Sequence, residues 1–262
     1  MKELLIRTLS GAVLVAVIVA SILISPWTCW ALAMVIVAVG TFELCRLMHL
    51  ENRWQLAFAE LMAVGAFAVV SLGMLNVMPL SGLVLLLPVL PFLFALFSTT
   101  TDFKTIAACN FGSIALLSVP CTLMVWMHEL YTPKMLLLVF VLLWANDTFA
   151  YLTGRLLGKH KLFERISPGK TIEGSLGGLV FTLVGVVVFS RFVDWLPLMT
   201  ALGMGLIAVV FGTLGDLCES MLKRQAGVKD SGNLIPGHGG ILDRFDSVLF
   251  AMPFVFVFLL LL

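Results

Sequence analysis

Residues 216–246 of this 262-residue sequence combine carboxylates, bases, glycines and a histidine at short spacing. The residues able to do chemistry are Asp216, Ser220, Lys223, Arg224, Lys229, Asp230, His238, Gly239, Gly240, Asp243, Arg244 and Asp246. Carboxylates are the hard oxygen ligands that Mg²⁺ prefers, and Lys and Arg neutralise phosphate charge. The segment therefore indicates a site for a magnesium–polyphosphate.

Helical spacing places several of these residues on one face. If the helix that carries them continues past the membrane edge, Asp216, Ser220 and Lys223 lie at i, i+4 and i+7. An aspartate at the end of an apolar span is costly unless it is paired or binds metal, so Asp216 is a functional candidate. The Pro-Gly-x-Gly-Gly turn at 236–240 allows close backbone approach and can return Asp243 towards Asp216.

A second polar run, residues 167–175, precedes an apolar stretch. Free amides at a helix start favour an anion, to which Lys170 adds a charge and Thr171 a hydroxyl, with Ser167 at the head of the run. The P-loop pattern fails because Glu164 stands where that motif requires glycine. Two interpretations stay open here: a phosphate cradle, or a plain cap for the following helix.

Asp147 lies inside an apolar stretch, where an uncompensated carboxylate costs about 2.5–3.5 kcal/mol by insertion scales. It either pairs with Arg155 or a loop base, or lines the active cavity. His238 stands among glycines between two charged clusters, and we expect it to belong to the site. For His160, a surface position is favoured over contact with a phosphate.

The composition predicts an integral membrane protein. Hydrophobic residues make up 61% of the chain and charged residues 12%, whereas soluble domains contain about 25% charged residues. A soluble domain, a coiled coil, a disordered chain and a disulfide scaffold are thereby excluded. Because a span needs about 20 apolar residues, we expect an all-α polytopic fold with about nine spans: 4–24, 27–48, 54–75, 77–97, 105–127, 135–157, 175–192, 198–218 and 247–262.

The distribution of bases predicts the orientation. In the nine-span arrangement, all sixteen Lys and Arg residues except Lys134 and Arg191 fall on the side of the N-terminus. The positive-inside rule places that side in the cytoplasm. We expect residues 1–140 to form a scaffold that could carry oligomer contacts. Residues 141–262 would form the catalytic region, with its site in the cytoplasmic loops that follow the sixth and eighth spans.

For the other polar residues we expect structural or surface positions without a role in chemistry. The five cysteines are expected to be buried and unpaired. A solvated interfacial loop is expected for Glu43, Arg46, His49, Glu51 and Arg53. His128 and Glu129 are expected at the extracellular edge, and Glu60 in an interfacial or interhelical hydrogen bond.

The stretch from Ser220 to Asp246 resembles the signature of the phosphatidate cytidylyltransferases, also called CDP-diacylglycerol synthases. The matching positions are Ser220, Lys223, Arg224, Lys229, Asp230, Gly232, Pro236, Gly237, His238, Gly239, Gly240, Asp243, Arg244 and Asp246. The run 167–174 and the Gly215-Asp216 pair also resemble family elements. Over the first 140 residues the resemblance rests on apolar spans alone.

The resemblance implies transfer of a cytidylyl group from CTP to phosphatidic acid, activated by Mg²⁺, in a bacterial-type inner membrane. One or two cations are implied, of which one could be monovalent. The partners would be CTP, phosphatidic acid and membrane lipid, with no nucleic acid, and a homodimer stays open. Two rival functions also stay open: a CTP-dependent lipid-alcohol kinase, and a transporter that couples through Asp147 and Asp216.

The resemblance also implies roles for individual residues. Asp216 and Asp243 would bind the metal, with Asp246 and Asp230 as further or indirect ligands. The phosphates of both substrates would be held by Lys223, Arg224, Lys229 and Arg244. His238 would bind phosphate or donate to the leaving pyrophosphate. The remaining substrate-binding positions are Ser167, Lys170, Thr171, Ser220, Gly239, Gly240 and Asp147.

Overall fold

The computed structural model describes residues 2–74, 89–97 and 103–262. In chain order its helices and strands are α1 (Lys2–Ile24), α2 (Pro26–Leu47), α3 (Arg53–Met74), α4 (Leu90–Phe97), α5 (Phe103–Ser113), a π-helical turn (Ile114–Ser118), α6 (Val119–Leu130), α7 (Pro133–Leu157), β1 (Lys161–Phe163), β2 (Ser167–Thr171), α8 (Ile172–Phe189), α9 (Leu198–Gln225) and α10 (Leu242–Leu260). In lipid every backbone polar group must be paired internally, and long apolar runs meet that demand as helices.

The predicted all-α polytopic fold is confirmed. Within the described residues, seven helices are long and apolar enough to cross a membrane: Leu5–Ile24, Pro26–Leu47, Arg53–Gly73, Phe103–Leu130, Pro133–Leu157, Ile172–Phe189 and Leu198–Gln225. Most of the predicted fourth span lies outside the described residues, and the ninth corresponds to α10, whose first turn is charged. The number of spans and the side of the N-terminus stay predictions.

The chain divides into two compact units. The first comprises Met1–Lys134 and Gln225–Phe245, and the second comprises Met135–Arg224 and Asp246–Leu262. The expected division near residue 140 was one of function, which these units do not test.

The core of the first unit forms around α2, α3 and α6, and it corrects one expectation. Ser118 donates to the Ala63 carbonyl oxygen at 2.8 Å, which joins α3 to the π-helical turn. His128 lies in the last turn of α6, where it is 7% exposed and its Nε2 lies 2.9 Å from the Ile22 carbonyl oxygen; its extracellular side stays a prediction. Glu43 does not lie in a solvated loop, because it is 4% exposed within α2.

The second unit is held by close approach of helices at small residues. A Cβ added at Gly177 would collide with Thr153, and one at Gly212 would collide with Leu143. Small residues at such positions let helix backbones approach closely in membranes, where packing contacts drive association. All five cysteines of the chain are free, as the sequence predicts.

A short antiparallel hairpin of β1 and β2 precedes α8, and no pattern in the sequence indicates it. Lys161 pairs with Thr171, and the Lys161 ammonium donates to the Pro168 carbonyl oxygen at 2.6 Å. The hairpin carries the 167–171 run up to the first turn of α8, and it thereby fixes the position of Lys170.

Candidate functional site

A cavity of about 720 Å³ lies within the second unit. Its wall is formed by side chains of α7, β2, α9 and the first turn of α8. The predicted site residues that line it are Asp147, Ser167, Lys170, Thr171 and Asp216. The fold therefore brings three separate segments of the sequence to one cavity, and its function as a site stays a prediction.

Asp216 contacts two side chains at the cavity. Its Oδ2 lies 2.6 Å from the Lys170 ammonium, and the Ser220 hydroxyl donates to its Oδ1 at 3.2 Å. The predicted common face of Asp216 and Ser220 is therefore confirmed, because α9 continues to Gln225. Lys223, one turn further, pairs with Glu219 at 2.5 Å.

Two further acidic side chains surround Asp216 in the second unit. Asp147 and Arg155 both line the cavity, so the two interpretations of Asp147 place it in the same wall. Asp246 lies at the head of α10, before the predicted span that begins at residue 247. Burial raises the pKa of Asp246 to about 7, and repulsion from Asp216 and Asp147 adds to this shift. Mutual repulsion among carboxylates favours the entry of a cation that they can share.

The 167–171 run caps the following helix, as one of its two interpretations predicts, and the phosphate cradle stays a prediction. Thr171 is the N-cap of α8, where its Oγ1 accepts the Gly174 N–H at 3.1 Å, and it also lines the cavity. A Cβ at Gly154 or Gly174 would crowd the Thr171 hydroxyl, so glycine is required for this close approach.

His160 lies at the surface, as predicted. It is exposed, and its Nδ1 contacts the Glu173 carboxylate. The same carboxylate accepts the backbone N–H of Lys159 at 3.0 Å and of His160 at 3.1 Å. Glu173 therefore ties the end of α7 to the start of α8 beside the cavity.

A divalent cation fits the donor chemistry of this cavity. Over residues 2–74, 89–97 and 103–262, no three His, Cys, Asp or Glu side chains form a protein-only metal cage. Mg²⁺ that carries a nucleotide needs only one or two carboxylates, because phosphate oxygens and water complete its coordination. Asp216 lines the cavity and supplies such a carboxylate. Asp246 lies near enough to Asp216 for the two to repel each other, and Lys170 supplies a charge for phosphate.

The remaining predicted site residues lie in the first unit. Asp243 is 8% exposed, and its Oδ2 accepts the Ser231 N–H and the Gly240 N–H, both at 2.8 Å. The Ser231 hydroxyl lies 2.9 Å from the same oxygen. The exposed residues of this region include Lys229, Asp230 and Arg244.

The turn at 236–240 is built on glycine and anchored to α1. Gly237 and Gly239 have φ of 75° and 82°, in the left-handed region that favours glycine. The Ser10 hydroxyl lies 2.9 Å from His238 Nδ1 and 2.9 Å from the Pro236 carbonyl oxygen. Ser10 therefore orients the His238 ring, a contact that no motif in the sequence indicated.

The structure groups the predicted residues unit by unit. The second unit holds Asp147, Ser167, Lys170, Thr171, Asp216, Ser220, Lys223, Arg224 and Asp246. The first holds Lys229, Asp230, His238, Gly239, Gly240, Asp243 and Arg244. A cation shared by Asp216 and Asp243 stays a prediction, as do the individual catalytic roles.

Sequence reasoning missed Glu43, although a signal was present. Glu43 lies inside the predicted second span 27–48, where a carboxylate is costly unless it has partners. In the structure it accepts three hydrogen bonds, from the N–H groups of Ile241 and Leu242 and from the Ser231 hydroxyl.

Comparison with known proteins gives consistent matches. The model of the cytidylyltransferase family matches residues 5–262. A phosphatidate cytidylyltransferase of Staphylococcus haemolyticus (strain JCSC1435) is 51% identical over 130 residues, which are 48% of this chain and 48% of that protein. That of Staphylococcus aureus (strain COL) is 51% identical over 126 residues, again 48% of each chain. The matched region therefore spans about half the length of these relatives.

Proposed function

Because the chain belongs to the cytidylyltransferase family, we propose that it transfers a cytidylyl group from CTP to phosphatidic acid, giving CDP-diacylglycerol and pyrophosphate for phospholipid biosynthesis. The supporting observation is the cavity of the second unit, where the Lys170–Asp216 ion pair lies with Asp147 in the wall. A polar cavity among membrane helices suits one substrate from the bilayer and one from water.

The reaction is an in-line displacement at phosphorus. A phosphatidate oxygen forms a bond to the α-phosphorus of CTP while the bond to the bridging oxygen of pyrophosphate breaks, and pyrophosphate leaves with that electron pair. The nucleophile is already an anion, so it needs no strong general base. The barrier comes from bringing two negatively charged reactants together, and positive charge placed beforehand in the site lowers it.

Basic residues of the site would contact phosphate, and acidic residues would bind the cation. Lys170 would leave Asp216 to contact a phosphate oxygen, because an ammonium pairs as readily with phosphate as with carboxylate. Asp216 and Asp246 would hold the cation, with Asp243 as the further ligand that the sequence predicts. When bound, Mg²⁺ supplies positive charge that offsets the charge on the phosphates. We propose one or two cations, of which one could be monovalent.

Phosphate contacts would also come from the predicted bases. Lys223, Arg224, Lys229 and Arg244 would serve both substrates, and His238 would contact the pyrophosphate that leaves. The side chain of Arg224 already reaches the residue before the 167–171 run, because its Nε donates to the Ile166 carbonyl oxygen at 3.4 Å. The bias of Lys and Arg towards alternate loops supports placing the site on the cytoplasmic face of a bacterial inner membrane.

Isotope labelling tests the reaction directly. Detergent-solubilised full-length protein would be incubated with Mg²⁺, phosphatidic acid and CTP labelled at either the α- or the γ-phosphorus. We expect the α-label in the chloroform-extracted lipid and the γ-label in water-soluble pyrophosphate. Transfer of the γ-label to a lipid alcohol would instead identify a kinase. Absence of both labels from the lipid would contradict the proposed transfer.

A further inference from the structure

Glu43 is a buried carboxylate that the proposed reaction does not use. It lies in the last two turns of α2 and is 4% exposed. Its three hydrogen-bond donors belong to the segment 231–242 of the same compact unit. A buried charge persists in a fold only where hydrogen bonds compensate it, so these partners explain why Glu43 is tolerated.

The Glu43 carboxylate caps α10 from another helix. Its Oε1 accepts the Ile241 N–H at 2.9 Å, and its Oε2 accepts the Leu242 N–H at 2.9 Å. The first amides of a helix have no partner within the helix and are usually capped by a neighbouring side chain. Gly240 and Ile241 have no side-chain acceptor, so α2 supplies the cap.

A single hydroxyl connects Glu43 to Asp243. The Ser231 Oγ lies 2.9 Å from Glu43 Oε2 and 2.9 Å from Asp243 Oδ2. A serine hydroxyl has one proton to donate, so the two carboxylates share that proton. Movement of either carboxylate therefore changes the hydrogen bond available to the other.

The glycines of the segment leave room for this arrangement. A Cβ at Gly232 or Gly240 would collide with the Glu43 carboxylate, and one at Gly239 would collide with Asp243. The glycine pattern thus fits around two carboxylates of the protein itself. This reason for the glycines is independent of any ligand.

We propose that Glu43 is a positioning residue for the transfer reaction: it holds the 231–242 segment so that Asp243 keeps the orientation needed to bind the activating cation. The inference rests on the proposed function, in which Asp243 is a metal ligand. Glu43 acts through Ser231 and through the first amides of α10.

The test begins with Glu43→Gln, which keeps the size of the side chain. An amide has one acceptor oxygen, so an NH₂ group must face either the one donor at Oε1 or the two donors at Oε2. We expect the Mg²⁺ concentration for half-maximal transfer to rise about tenfold or more, since a lost hydrogen bond to a charged group has that scale. Saturating Mg²⁺ should restore part of kcat. Hydrogen–deuterium exchange of the 240–242 amides should accelerate without substrate.

Glu60→Gln is the matched control, because Glu60 is a carboxylate in a helix of the same unit. It should leave both the Mg²⁺ requirement and the exchange of residues 240–242 unchanged. Ser231→Ala is the second variant, since it removes the shared hydroxyl and keeps the Ser231 N–H bond to Asp243. It should raise the Mg²⁺ concentration needed for half-maximal transfer. In the double variant, the fold-increase should be smaller than the product of the two single fold-increases, because both changes act on one hydrogen-bond network.

The outcomes distinguish failure of the proposed function from failure of the role of Glu43. Wild-type protein that transfers no cytidylyl group would overturn the proposed function and this inference with it. If the wild type is active and both variants need the same Mg²⁺ concentration as the wild type, the inference alone is overturned. Faster exchange with an unchanged Mg²⁺ requirement would also overturn it, because Glu43 would then only stabilise the segment. If Glu43→Gln is not recovered folded, Ser231→Ala decides.

Discussion

Replacement of Asp216 by Asn should separate catalysis from stability. The change removes the ion pair with Lys170, whose side chain is 26% exposed while that of Asp216 is 33% exposed. Ion pairs this open to water contribute about 0.2–1 kcal/mol. The amide oxygen of Asn can still accept the Ser220 hydroxyl, so the loss in free energy of unfolding should stay near 1 kcal/mol.

The expected effect of Asp216→Asn on turnover is much larger. A group that stabilises charge developing in the transition state typically contributes about 100- to 1000-fold in kcat, or roughly 3–4 kcal/mol. Asp216 would do so by holding the cation beside the phosphates. Loss of activity should therefore exceed what the small loss in stability can explain.

The assay for Asp216→Asn measures α-labelled lipid per milligram of folded protein, with melting temperature followed in the same detergent. Asp194→Asn is the matched control, because Asp194 is an exposed carboxylate of the same unit, remote in sequence from the site. It should match the wild type in both measurements. Asp216→Asn protein within about fivefold of wild-type activity would refute the assignment, and so would a loss proportional to its unfolded fraction.

Three further predictions concern the same region. Asp243→Asn should abolish cytidylyl transfer while the protein still inserts in membranes, as membrane fractionation and the labelled-CTP assay would record. Gly215→Ala should lower the melting temperature, because its Cβ would meet the Asp246 backbone and overpacking costs about 1–3 kcal/mol. Gly185→Ala is the control, since the space around Gly185 is open, and it should leave the melting temperature unchanged. Asp246→Asn should leave metal-free protein as stable or more stable, since it relieves repulsion from Asp216, yet reduce transfer.

Much of the second unit could be predicted from local sequence. The i, i+4 relation of Asp216 and Ser220 required only that α9 continue beyond the apolar span, and it does. The cost of a carboxylate inside an apolar helix predicted that Asp147 either pairs with a base or lines a cavity, and it lies in the cavity wall. The first inference rests on helix periodicity and the second on the cost of a buried charge, and both can be judged from local sequence.

The hairpin could not be predicted in the same way. The strands β1 and β2 are three and five residues long, and their apolar residues do not alternate over enough positions to indicate a strand. The ion pair between Lys170 and Asp216 could not be predicted for the same reason, since the hairpin places the Lys170 ammonium 2.6 Å from the Asp216 carboxylate. Tertiary structure, rather than local propensity, determines this contact.

Glu43 and His128 show a second kind of limit. Both lie near the ends of apolar stretches, where a polar side chain can equally well meet water or a neighbouring helix. His128 meets the carbonyl oxygen of Ile22, and Glu43 meets the first amides of α10. The sequence shows that each needs a partner, but the partner is chosen by segments more than 100 residues away.

The glycines of the 232–240 segment have two physical explanations, and the structure distinguishes among positions. Gly237 has a positive φ, which a turn alone explains. Gly240 does not have a positive φ, and a Cβ there would meet Glu43 and Ser231. A motif defined by its glycines can therefore encode contact with a buried carboxylate from a distant helix as well as the approach of a ligand. In this chain, substitution of Gly240 should disturb Glu43 before any substrate is bound.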